Sequence, residues 1–232
     1  MSDDLRVNTI AVDGPAASGK STAGQLVARE LGYLFFDTGV MYRAITLAAL
    51  EAGVSVFDEL GCTKLAEETQ IDVQPPSIED GRLNDILIDG VDKTWDIRTP
   101  EVDANVSEVS TYAGVRSALT AQQRKIGVRG RVIMVGRDIG TVVMPDAILK
   151  IYLDASAEER AGRRHHERIE RGEESDFEQV LSIVQKRDQI DSSREVAPLC
   201  AAEDAVVINS DQMSIEEVFE AIMQLVREAG LA

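Results

Sequence analysis

The chain is short of several things, and each shortage removes a class of function. It has two cysteines, Cys62 and Cys200, in 232 residues. Two thiols so far apart make neither a disulfide framework nor a metal site, and they are read as ordinary reduced thiols. No apolar run reaches the length of a membrane span. The opening residues, Met1-Ser2-Asp3-Asp4, are acidic and lack the apolar stretch of a secretory signal, so a cytoplasmic protein is expected. Positive charge is scarce: 24 Lys and Arg stand against 41 Asp and Glu, a net charge of −17. Affinity for a nucleic-acid polymer or an anionic membrane comes from neutralising phosphates, so neither is expected as main partner. There is no internal repeat and no low-complexity segment. Apolar residues, at 44%, can fill the core of one large domain with small appendages.

What is present is organised around Ile10 to Thr22. The apolar run Val7 to Val12 reads as a buried strand, and Thr22 to Leu31 is compatible with a helix. Between them lies Gly14-Pro15-Ala16-Ala17-Ser18-Gly19-Lys20-Ser21, the P-loop pattern in the strand–loop–helix context it requires. The glycines let the backbone turn tightly so that successive N–H groups meet phosphate oxygens. The following helix N-terminus adds partial positive charge. Lys20 is a mobile cation for the β- and γ-phosphates, and Ser21 offers a hydroxyl to Mg²⁺.

Downstream, apolar runs alternate with helical stretches, which predicts an α/β fold around a parallel sheet. Five strands are expected: Val7–Val12, Tyr33–Phe36, Arg131–Val135, Ile148–Leu153 and Ala205–Asn209. Helices are expected over Met41–Ala52, Asp58–Gln70, Pro100–Thr111 and Val115–Val128, with two more across 155–194 broken near Gly172. Ile71 to Thr99 differs. Pro75-Pro76, Asp80-Gly81 and the run Arg82 to Val91 carry turn and hairpin chemistry, and the segment holds the only tryptophan, Trp95. Near the end, Ser214 to Glu217 forms a capping box, and Ile215, Val218, Phe219, Ile222, Leu225 and Val226 make a helical apolar stripe. In open parallel sheets ligands sit beyond the carboxyl ends of the strands. Four of those ends carry polar chemistry: the P-loop, Asp37-Thr38, Arg137-Asp138 and Asp154. They should converge on one crevice.

A P-loop specifies nucleotide binding, not the reaction. The Asn-Lys-x-Asp motif of guanine readers is absent. Asp138 follows an apolar strand, so it could serve as a Walker-B magnesium ligand. The arginines are clustered in this acidic chain: Arg160, Arg163, Arg164, Arg168 and Arg171 fall within twelve residues, with His165 and His166 between them. Charge runs commonly form a solvated helix face. Small kinases also close such a basic segment over ATP phosphates, excluding water and stabilising transferred charge.

Taken together, Gly14 to Thr22, Asp37-Thr38-Gly39-Val40-Met41-Tyr42-Arg43, Gly136-Arg137-Asp138-Ile139-Gly140-Thr141-Val142-Val143, and Lys186-Arg187-Asp188 with Asp191, Arg194 and Val196-Ala197-Pro198-Leu199 resemble the bacterial-type cytidylate kinase family. The resemblance implies a P-loop three-layer α/β/α fold with a five-stranded parallel sheet and a helical lid. It also implies a small β insertion in the monophosphate-binding region. Residues 1–70, 100–154 and 195–232 would form the kinase core, 71–99 the insertion and 155–194 the lid with its flanking helices. It implies that Gly14, Pro15, Ala16, Ala17, Ser18, Gly19, Lys20, Ser21 and Thr22 bind ATP as its Mg²⁺ complex, with Arg160, Arg163 and Arg164 as lid candidates. Ser107, Arg116 and Asp138 would read cytosine, which competes with the Walker-B role for Asp138. Arg43, Arg137 and Arg194 would hold the acceptor phosphate, Arg187 and Asp191 the sugar hydroxyls, and Asp37 and Thr38 would border the pocket. Relatives often place glycines where this chain has Ala16-Ala17-Ser18.

The implied reaction passes phosphate from ATP to CMP or dCMP in a monomer. The acceptor phosphate, with a second pKa of about 6, is already a dianion at neutral pH and needs no base. Catalysis would be positioning plus charge neutralisation, with Lys20, Arg137 and Arg194 at its centre. Other small-molecule kinases acting on UMP, AMP, dephospho-coenzyme A or shikimate, or a nucleotide-binding protein without turnover, are the alternatives.

Overall fold

A computed structural model describes residues 7–194 and 196–231; the acidic Met1–Asp4 start lies outside them. In chain order the elements are β1 (Val7–Asp13), α1 (Lys20–Leu31), β2 (Leu34–Asp37), α2 (Gly39–Glu51), α3 (Glu59–Glu68), β3 (Ile71–Gln74), β4 (Asp85–Ile88), β5 (Val91–Asp92), α4 (Pro100–Val109), α5 (Ala113–Gly127), β6 (Val132–Gly136), β7 (Ala147–Asp154), α6 (Ala157–Glu170), α7 (Phe177–Ser192), β8 (Val206–Asn209) and α8 (Ile215–Glu228). All five expected strands form, each within a residue or so of its predicted bounds. They make one parallel sheet in the order β2-β6-β1-β7-β8.

The sheet is covered on both faces, as a parallel sheet must be. Alternate residues of its central strands point to opposite cores. Ala11, Phe36, Val132 and Met134 pack with Met41, Ile45, Leu119 and Ile126 of α2 and α5. Ile10, Val12, Ile133, Val135 and Ile151 pack with Ala23 and Val27 of α1 and with Val218, Ile222 and Val226 of α8. These are the three layers. The capping box of α8 is present in full: Glu217 N–H donates to Ser214 Oγ and Ser214 N–H to Glu217 Oε2.

Residues 71–92 form an antiparallel sheet, β3-β4-β5. Its hairpin turns at Asp89-Gly90, both at positive φ (50° and 81°), as a type I′ turn requires. This sheet has no core of its own. Ile71, Val73 and Ile86 are buried in the same cluster as Met41 and Leu119. Helices α6 and α7 pair around Ala161, Val180 and Val184. Among the described residues no helix is long and apolar enough to cross a membrane. Two short elements went unforeseen: a 3-10 turn at Asp96–Arg98, and a π-turn at Ile139–Val143 that follows Asp138.

Candidate active site

Three of the four polar strand ends converge on one crevice; Asp154, at the end of β7, does not line it, and its Oδ1 accepts from the Ala155 N–H at 2.9 Å. Residues after β1, β2 and β6, with α5, α6 and α7, line one cavity of about 730 Å³. Its floor is the P-loop. Gly14 sits at φ +151°, where any Cβ would lie 2.1 Å from the Leu153 carbonyl oxygen, so only glycine fits. Gly19 (φ +91°) ends the loop, and Ala17 also takes a left-handed φ of 62°. Alanine therefore holds a conformation that glycine would adopt without strain, at a cost of about 1 kcal/mol. Ala16, Ala17, Lys20 and Ser21 face the cavity; Thr22 is exposed outside it. Lys20 is buried, and its Nζ donates to Pro15 O at 2.6 Å. Burial, followed by the charge of Arg137, pulls its pKa well below the ordinary lysine value.

Ser21 Oγ donates to Asp37 Oδ2 at 2.9 Å. Asp138 is elsewhere: its Oδ2 accepts from Arg116 Nη2 at 2.8 Å in a pair with both side chains buried. A carboxylate occupied by a guanidinium is poorly placed as a Walker-B ligand, whereas Asp37 adjoins the P-loop hydroxyl. Arg116 also lies over the Tyr42 ring, 5.6 Å from its centroid, and its buried Nε has no partner among the described residues.

The acceptor-phosphate candidates meet around Asp191. Its Oδ2 accepts from Arg137 Nε at 2.9 Å, and its Oδ1 accepts from Arg194. Burial alone would raise the Asp191 carboxyl, but Arg137 and Arg194 hold it below the usual carboxylate range. Arg194 Nε is buried and, among the described residues, has no partner. Arg187 lines the same cavity. Arg43 does too, with its guanidinium on Asp103 and the Ile97 carbonyl. Thr38, also lining it, ties β2 to β6 through Val135 O at 3.0 Å.

Beyond the P-loop, three candidates fall outside this arrangement. Ser107 is exposed on α4 and does not line the cavity; Ser110, a turn later, does. Arg160 is buried, forms two bonds to Asp188 at 2.9 and 2.5 Å, and donates to Ala16 O at 3.1 Å. Arg163 donates to Ser18 O at 3.3 Å and to Ser210 O at 2.5 Å. Both arginines brace the P-loop from behind through its carbonyls. Of the lid candidates, Arg164 alone reaches the cavity, beside Arg168 and Arg171. Arg164, Arg168 and Arg171 share a face at i, i+4 and i+7, one residue round the helix from Arg163. Sequence reasoning gave no role to Tyr42 and none to Asp191 as an organiser of arginines. Tyr42 stood inside a quoted motif; the sequence carries no separate signal for the Asp191 contacts.

Nine cationic side chains and five carboxylates line the cavity, in a chain whose net charge is −17. Such a cleft is built for a polyanion.

The profile of the family described as Cytidylate kinase matches residues 10–228. A protein named Cytidylate kinase from Herpetosiphon aurantiacus is 49% identical over 94% of this chain and 94% of its own. One of the same name from Geobacillus sp. is 49% identical over 94% of this chain and 96% of its own. Among solved structures, shikimate kinase from Bacteroides thetaiotaomicron gives a TM-score of 0.48 at 11% identity, covering 94% of this chain and 98% of that one.

Proposed function

The chain belongs to the cytidylate kinase family, and on that footing we propose that it transfers the γ-phosphoryl group of ATP to the 5′-phosphate of CMP or dCMP, releasing ADP and CDP or dCDP. One observation carries the reading: a single cavity is lined both by Lys20 and Ser21 of the P-loop and by the buried Arg116–Asp138 pair. The first suits the phosphates of the donor. The second suits cytosine, which presents an N4 amino donor beside its N3 and O2 acceptors. Asp138 accepts from N4, and the guanidinium of Arg116, with its unpartnered Nε, donates to the ring acceptors. Each such polar pair is worth roughly 1–3 kcal/mol of base discrimination, by analogy with groove readout. Ser107 has no part in this assignment.

Arg137 and Arg194, pinned by Asp191, hold the acceptor phosphate with Arg43, and Arg187 faces the sugar. Lys20 exchanges the Pro15 carbonyl for the β- and γ-phosphates. Ser21 and Asp37 supply hard oxygen donors beside those phosphates, a set that suits Mg²⁺. The ion, when bound, neutralises charge on the transferred group. Arg164 and its lid neighbours close over the donor from above. Because the acceptor is already a dianion, no side chain has to remove a proton; the arginines offset the repulsion between two anions brought together. All these groups lie on one chain, so a cytoplasmic monomer suffices, with ATP and the acceptor nucleotide as its partners.

The test is ADP release from ATP·Mg²⁺ with CMP, dCMP, UMP, AMP, GMP, shikimate or dephospho-coenzyme A as acceptor. Selective turnover with CMP and dCMP is expected. Preference for another acceptor would overturn the base-reading assignment, and ATP binding without acceptor-stimulated turnover would overturn the kinase reading.

A further inference from the structure

A buried carboxylate outside the cavity has no part in the reaction described so far. Asp13 is the last residue of β1, paired in register with Gly136 of β6 and Tyr152 of β7, and it precedes the first P-loop glycine. It is 4% exposed and does not line the cavity. Among the described residues it forms no ion pair. Its two oxygens go to consecutive backbone amides of another loop: Ile139 N–H donates to Oδ1 at 2.8 Å and Gly140 N–H to Oδ2 at 2.7 Å.

Those amides open the π-turn at Ile139–Val143, and helix-start amides need acceptors. The residue before the turn, Asp138, provides no side-chain cap. The acceptor comes instead from a distant strand. A serine hydroxyl or an asparagine carbonyl would cap one amide at lower desolvation cost than a buried charge without a cation. A carboxylate gripping two adjacent amides does more, because it fixes the orientation of the turn as well as its position. The side chains just ahead of that turn are Asp138, on Arg116, and Arg137, on Asp191. The chain just after Asp13 is the P-loop.

We propose that Asp13 is a positioning residue for acceptor recognition: it locks the turn that presents Arg137 and Asp138 to the strand that carries the P-loop, so that cytosine and its phosphate are held in register with the donor. This rests on the base-reading role proposed for Asp138. Asp13 acts through the turn and touches neither substrate.

Asp13→Asn preserves the shape but can accept from one amide only, turning its own NH₂ toward the other. Misplacement of about 1 Å at a reacting centre costs up to about 100-fold, so a partial rotation of the turn should be visible in kinetics. Steady-state rates with CMP and with UMP, at varied ATP, read it. The expected result is a fall of about tenfold in the CMP:UMP ratio of kcat/KM, with KM for ATP within about twofold of wild type. In the Asp138→Ala background, adding Asp13→Asn should leave that ratio unchanged, because the two act through one device. A CMP:UMP ratio equal to wild type in Asp13→Asn overturns the proposal, whatever happens to the melting temperature. If Asp13→Asn does not fold, Asp13→Glu, which keeps charge and acceptors but displaces the turn, is read the same way. A wild-type enzyme that does not prefer CMP over UMP overturns the Asp138 reading along with this one; a selective wild type with an unaltered Asp13 variant overturns this one alone.

Discussion

Two regions of this molecule gather arginine and aspartate, and they do so in opposite proportions. In the β insertion one arginine serves three carboxylates: Arg82 reaches Asp80 at 2.8 Å, Asp85 at 2.9 Å and Asp92 at 2.7 Å, and Trp95 Nε1 adds a bond to Asp80. The Thr94 hydroxyl and Arg82 hold the Asp92 carboxyl down to about 2. In the cleft the proportion is reversed. Cations outnumber carboxylates there, and they are held at some cost: burial, then Arg137, lowers the pKa of Lys20, and burial, then Arg137, lowers that of Arg187. In the insertion each of these carboxylates is taken up by hydrogen bonds, from Arg82, Trp95, Thr94 and the Ser77 amide, so the cluster reads as structure. A cleft with surplus cations is completed by an anionic substrate.

Lys20 puts this contrast to its hardest test. Lys20→Met removes the P-loop cation while keeping its bulk, so kcat should fall about a thousandfold or more. The melting temperature without nucleotide should hold or rise, since a desolvated charge is lost; retained turnover would place the P-loop outside the chemistry. Arg187→Met should act more mildly. Its guanidinium lines the cleft and is crowded by like charge, so KM for CMP is expected to rise about tenfold with no loss of thermal stability. A fall in melting temperature without a kinetic effect would move Arg187 from the surplus class to the structural one.

Arg82→Met should do the reverse. Three aspartates would lose their shared cation, and the insertion should loosen, seen as a lower melting temperature and faster amide exchange in β4. Kinetic constants for CMP should stay within about twofold. A collapse of CMP affinity would give the insertion a direct part in substrate binding, because Ile97 and the Arg43 guanidinium connect it to the cleft.

Much of this was legible in the sequence because it is carried by local pattern. Strand–loop–helix with fixed glycines locates the donor site, and the two-sided apolar runs give the sheet. The strand-end rule then brings the P-loop, Asp37, Arg137 and Asp138 to one crevice before any contact is seen, and errs only in adding Asp154. What stayed hidden is the direction of side chains on helices and the pairing of distant groups. Arg160, Arg163 and Arg164 look alike in sequence, but the first two turn to the P-loop carbonyls and only the third faces the cleft. Ser107 and Ser110 are separated by less than one turn, and only the latter lines the cavity. Asp13 reads in sequence as nothing more than the end of a strand. Its grip on Ile139 and Gly140 spans more than half the chain, and no local periodicity encodes it.

That carboxylate extends the contrast to pH. Asp92, matched by Thr94 and Arg82, titrates near 2, whereas burial lifts Asp13 to about 6 against the pull of its two amide bonds. The signs are opposite. The folded-state pKa of Asp92 is depressed, so its contribution is present above the ordinary carboxylate range and is lost as pH falls toward 2. Asp92 is partly exposed and solvent screens its share. The folded-state pKa of Asp13 is raised above its ordinary 3.8, so folding favours its protonated form. Its contribution is fully present below about pH 4 and is lost as pH rises through about 6. The loss is of order 1–3 kcal/mol across that window, because each pH unit separating the folded and unfolded titrations is worth about 1.4 kcal/mol. Urea unfolding of wild type and Asp13→Asn at about pH 4.5 and about pH 6.5 isolates it. The stability difference, wild type minus variant, should decrease on going to the higher pH. If it instead stays level or increases, Asp13 is ionised at least as readily in the fold as in water. A cation would then have to reach it, and the distinction between a carboxylate matched by arginine and one held by backbone would fail at its clearest example.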